Sequence, residues 1–167
     1  MLDKISEKLI DILRAELTGT DEVDLTGLSD QEFAAIYRLA KAHNLSSMAG
    51  DYMSRHGVMN KIILRDMAYA QQKVESMDRV FAEITKALSE AGIPFLPLKG
   101  IVMRPLYPRS WMRLSGDIDI LIKEADKKRI YDIFAYSAIR RTDLLRKSVR
   151  RIALYAVTPG FEMFTLN

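Results

Sequence analysis

Between residues 60 and 90 the chain carries neither glycine nor proline, and Ile63, Met67, Ala70, Val74, Met77, Phe81, Ile84 and Leu88 recur at alternating spacings of four and three. That near-3.5-residue period predicts one long helix packed at a shallow angle on its neighbours. A coiled-coil dimer fits the same period, but alanine and methionine on the seam, with further apolar helices nearby in sequence, favour packing within the chain. Arg65, Lys73, Glu75 and Arg79 fall on the opposite face and read as a solvated surface.

Shorter helical patterns precede it. Residues 3–17 place Ile5, Leu9, Ile12, Leu13 and Leu17 on one stripe, and a polar loop from Thr18 follows. Ser29-Asp-Gln-Glu32 has the spacing of a capping box, in which the serine and glutamate satisfy each other's backbone amides, ahead of Phe33, Ile36, Tyr37 and Ala40. A third helix is predicted from Ser46 or Ser47 to about Arg55, stopped by Gly57.

Past Ala91-Gly-Ile-Pro94 the period changes. Phe95 to Leu98 reads as a buried strand, Lys99-Gly100 as a turn, Ile101 to Leu106 as a short helix, and Asp117 to Ile122 as a second strand behind a polar loop. A helix from Lys123 carries Ile130, Ile133, Phe134 and Ser137, and Ile152 to Val157 and Phe161 to Leu166 read as strands around the turn Thr158-Pro-Gly160. The expected fold is therefore α+β. A helical region, 1–90, precedes a small mixed β-sheet core flanked by helices, 91–167.

Side chains alternate faces along a strand, so Asp117 and Asp119 point the same way, while Ile118, Leu121 and the flanking apolar residues alternate with them or run into a buried end. Their Cα atoms lie about 6.6 Å apart at two strand steps. At about 4 Å two such charges repel by about 4 kcal/mol at an effective dielectric near 20, so a positive group belongs between them. Mg²⁺ suits that role, since it takes one or two carboxylates together with phosphate oxygens. Upstream, Lys99-Gly100 supplies a residue without a Cβ at which backbone amides can approach a phosphate, and a helix N-terminus follows.

Composition narrows the chemistry. The 167 residues are 49% hydrophobic and 28% charged, ordinary values for a globular protein, and the net charge of +3 does not by itself demand nucleic acid. Zero cysteines exclude disulfides, thiolate catalysis and cysteine-ligated zinc. His43 and His56, thirteen residues apart, offer no histidine-pair metal site and are read as surface or boundary residues. No apolar stretch approaches the length of a membrane span, and the N-terminus lacks the layout of a signal peptide, so a cytoplasmic protein without a membrane partner is expected. The segment from Arg140 to Arg151 holds six basic residues against one acid; a solvated edge is favoured over a polyphosphate or RNA edge.

The run Leu98-Lys-Gly100, then Leu106-Tyr-Pro108, then Arg113-Leu-Ser-Gly-Asp-Ile-Asp119-Ile-Leu-Ile122 resembles the signature of the uncharacterised nucleotidyltransferase family within the DNA polymerase β-like nucleotidyltransferase superfamily. The resemblance is close over 93–125 and loose elsewhere. It implies Gly100 in the nucleotide-phosphate turn, Asp117 and Asp119 as the catalytic metal pair with Mg²⁺ or Mn²⁺, and an NTP substrate whose NMP passes to an unknown hydroxyl acceptor on a protein, an RNA or a small molecule. Lys99 and Ile101 flank the glycine where the superfamily has Gly-Gly or Gly-Ser, which makes Lys99 the expected cation at the triphosphate, with Ser115 and Gly116 beside it. Arg113 is either a phosphate clamp or an ion-pair partner that orients the aspartate loop. Tyr107 and Trp111 are read as core in preference to base-stacking residues. Glu162-Met163 resembles the family's late-strand carboxylate motif, with Phe164 in place of its histidine, so Glu162 is the third catalytic candidate. The family usually continues past the position of Asn167, as for a truncated member. The rival expectation is an inactive nucleotidyltransferase-like module that binds a protein or RNA.

Overall fold

The structure is a computed structural model that describes residues 3–20, 23–58, 60–136, 151–157 and 162–166. Most of the basic 140–151 segment, Ser137 and the turn 158–160 lie outside the described residues. The chain divides into two compact units: one comprises Met1–Gln72 with Pro105–Arg113, the other Lys73–Arg104 with Leu114–Asn167.

In the first unit α1 (Lys4–Thr18) starts where the Asp3 carboxylate accepts the amides of Ile5 and Ser6. The capping box forms at α2 (Asp30–Ala42), with Ser29 Oγ accepting the Glu32 amide at 3.3 Å and Glu32 accepting the Ser29 amide at 2.8 Å. α3 (Ser46–Arg55) runs over the predicted span, with Leu45 at its cap position. Leu9, Ile12, Ile36, Tyr37, Tyr52, Met53 and Ile63 form this unit's core.

The predicted long helix is one uninterrupted element, α4 (Lys61–Glu90), and the division between units falls inside it rather than at residue 91. Sequence places the break at Ala91-Gly92, where the helix ends. Packing places it earlier, because Met77, Val80, Ile84 and Leu88 share a core with the sheet.

That sheet contains β1 (Phe95–Leu98), β2 (Asp117–Lys123), β3 (Arg151–Val157) and β4 (Glu162–Leu166), in that spatial order. The β1–β2 and β3–β4 pairs are antiparallel and β2–β3 is parallel, so the sheet is mixed and the fold is α+β. Between β2 and β3 the chain forms α6 (Lys127–Tyr136), while α5 (Gly100–Met103) follows β1. The helix expected from Lys123 begins later, because that residue still pairs with Val157 in the parallel ladder.

Ile118, Ile120 and Ile122 are at most 2% exposed and pack with Ile152, Leu154, Ile130, Phe134 and the α4 residues. Fully burying an isoleucine is worth about 1.5–3 kcal/mol, so this row fixes the register of β2. The alternate row consists of Asp117, Asp119, Leu121 and Lys123; Leu121 thus shares the aspartates' row instead of alternating with them. The unit's apolar core therefore presents the two carboxylates on the opposite sheet face.

Candidate active site around Asp117 and Asp119

Leu98, the last residue of β1, pairs with Asp119, so Lys99 leaves the strand next to the central carboxylate. Lys99 adopts φ 51° and ψ −117°, a conformation that L-residues rarely take and that costs on the order of 1–3 kcal/mol. Its carbonyl accepts the Met103 amide at 2.9 Å, which closes the first turn of α5. Its ammonium lies 3.4 Å from Asp119 Oδ1, donates to the Tyr155 hydroxyl, and sits 4.5 Å from the centre of the Tyr155 ring. The bond to Tyr155 first, and then the charge of Asp119, hold Lys99 above the usual lysine range.

Asp119 is only 6% exposed, and its Oδ1 also accepts the Tyr155 hydroxyl at 3.0 Å. Burying a carboxylate requires such donors. Asp117, two residues earlier in the same row, is half-buried. Across the parallel ladder Asp119 faces Ala153, one of the smallest side chains available.

Positive φ falls on Lys99, not on Gly100. Gly100 is instead required by a close approach: a Cβ there would lie 2.9 Å from both Cβ and Oγ of Ser115. Ser115 is thereby fixed against the start of α5, two residues before Asp117, with its Oγ 4.0 Å from Met77 Sδ. Gly116 is the residue at which the chain bends into β2.

Two buried polar residues of the second unit went unnoticed in the sequence. Tyr155 lies on a strand that joins the sheet by a crossover, and nothing local marks it. Arg104, 2% exposed, binds Asp78 and approaches Met77 Sδ at 4.0 Å, while its Nε is buried without a hydrogen-bond partner among the described residues. A single arginine within the apolar run from Ile101 to Leu106 was the available signal.

Arg113, Tyr107 and Trp111 group with the first unit, where Arg113 lies over the Tyr107 ring at 5.9 Å and Arg109 over the Trp111 ring at 5.9 Å. Their segment is held there by Arg109, which pairs with Asp51 and, at 3.8 Å, with Glu16. Arg55 pairs with the same two acids. Burial, opposed chiefly by Arg55, raises the Glu16 carboxyl above its ordinary range. Glu162 pairs with Ala156, which aligns with Ile122, so its register position falls in the core row rather than in the aspartates' row. His43 is exposed, and the half-buried His56 stacks on Tyr52 at 4.0 Å.

No group of three or more histidine, cysteine, aspartate or glutamate side chains able to hold an ion occurs among the described residues. Two carboxylates in one strand row suit a hard cation that completes its shell with water and substrate oxygens, the habit of Mg²⁺. The site thus fits a shared ion rather than an all-protein cage.

Residues 29–154 match the family model described as uncharacterised nucleotidyltransferase, and the chain belongs to that family. Comparison with curated proteins and with solved structures gave no match.

Proposed function

We propose that the second unit transfers an NMP from an NTP to a hydroxyl acceptor and that the transfer depends on a divalent cation. The observation that supports this most is the shared row of Asp117 and Asp119, with Lys99 leaving β1 opposite the second of them. Asp117 and Asp119 would hold Mg²⁺ or Mn²⁺, which when bound supplies positive charge against that developing on the phosphates. Lys99, the amides around Gly100, and Ser115 with Gly116 bind and orient the β- and γ-phosphates. In the reaction the acceptor oxygen bonds to the α-phosphorus, the bond from that phosphorus to the bridging oxygen breaks, pyrophosphate leaves, and the acceptor's proton ends in water.

The register of Glu162 favours a second reading, a nucleotide-binding module without transfer activity. Incubation with each α-labelled NTP and Mg²⁺ or Mn²⁺ separates the two. Transfer by the parent that is lost in both Asp117→Ala and Asp119→Ala supports the enzyme. Nucleotide binding without transfer supports the module, and transfer that survives both substitutions refutes the role given to the aspartates.

A further inference from the structure

Asp119 Oδ1 is approached by two donors, and one of them has no role in the reading above. The Tyr155 hydroxyl can donate one proton, and it gives that proton to Asp119 while accepting from the Lys99 ammonium. The result is a directional chain from Lys99 through Tyr155 to Asp119. Its middle member is 7% exposed and anchored in β3, the strand that pairs with β2 along its whole length.

We infer that Tyr155 is a positioning residue for Asp119: its hydroxyl occupies Oδ1 and leaves Oδ2 as the oxygen offered to a divalent cation. This rests on the metal-binding reading of the aspartate pair. Groups that hydrogen-bond to a metal ligand fix its orientation, and their removal typically costs 10–100-fold in affinity. Lys99 acts differently. It rests on the ring and carries a charge of the same sign as the ion, so it contributes nothing favourable to metal binding alone.

Tyr155→Phe separates these effects, because it keeps the ring under Lys99 and removes only the hydroxyl. Mn²⁺ binding to the full chain, without nucleotide, is read from the electron paramagnetic resonance of the free ion. The expected result is affinity at least about tenfold weaker in Y155F, lost in Asp119→Asn, and no weaker than the parent in Lys99→Met. Parent-like affinity in Y155F, or a loss in K99M matching that of Y155F, overturns the assignment. Equal binding by the parent and D119N defeats the metal pair itself, and the role of Tyr155 with it. Should Y155F not fold, 3-fluorotyrosine at position 155 gives the same answer: its ¹⁹F resonance shifts on saturation with Mg²⁺ if the hydroxyl holds a metal ligand, and an unmoved resonance overturns the proposal.

Discussion

Gly100→Ala adds one methyl group at a position whose backbone tolerates it, since Gly100 lies outside the left-handed region, so any penalty must come from packing. The new Cβ would lie 2.9 Å from Cβ and Oγ of Ser115. The hydroxyl can rotate away, but the Ser115 Cβ is fixed to the backbone and moves only if the bend into β2 moves with it. Overpacking of this kind costs about 1–3 kcal/mol, and the better helix propensity of alanine returns at most about 1 kcal/mol of that. The expected loss is therefore about 1–2 kcal/mol. Urea unfolding followed by circular dichroism, with hydrogen exchange at the β2 amides to report on the second unit, measures it. In a Ser115→Gly background the clashing atoms are gone, so the penalty should disappear and leave a coupling energy of about 1 kcal/mol or more between the two positions. G100A as stable as the parent, or equally costly with and without Ser115, would refute the close-approach argument.

Two more outcomes follow from local geometry. Lys99→Gly releases an unfavourable backbone conformation while giving up an ion pair with an exposed lysine, so the variant should melt no lower than the parent yet bind NTP more weakly. A clear fall in melting temperature would contradict this. At the capping box, Glu32 is lowered from 4.5 to about 2, first by the Lys4 hydrogen bond and then by the Ser29 amide and hydroxyl. A lowered carboxylate stabilises the fold above its unfolded value, so the melting-temperature gap between the parent and Glu32→Gln should be constant above pH 4.5 and close as pH falls towards 2. A gap that does not change with pH would rule out the charge as its source.

The sequence showed what local rules govern. The capping box at Ser29 and Glu32 depends on a three-residue spacing, the long helix on a periodic apolar stripe, and the shared face of Asp117 and Asp119 on strand alternation; each holds in the structure. Long-range register was not legible. Lys99, Asp119 and Tyr155 meet only because β1 pairs antiparallel and β3 parallel with β2, and a tyrosine 36 residues beyond Asp119 carries no local mark of that approach. Glu162 shows the same limit from the other side, because one step of register in β4 decides which row a residue joins. The boundary inside α4 was hidden for a related reason: a glycine marks where a helix stops, whereas a unit boundary depends on what the helix packs against.

A crystal grown with a non-hydrolysable NTP and Mg²⁺ tests the central claim most directly. The account predicts an ion bound by Asp117 and Asp119 and bridged to phosphate oxygens, with the triphosphate over Lys99 and Gly100. A nucleotide bound elsewhere, or an ion that engages neither aspartate, would contradict it.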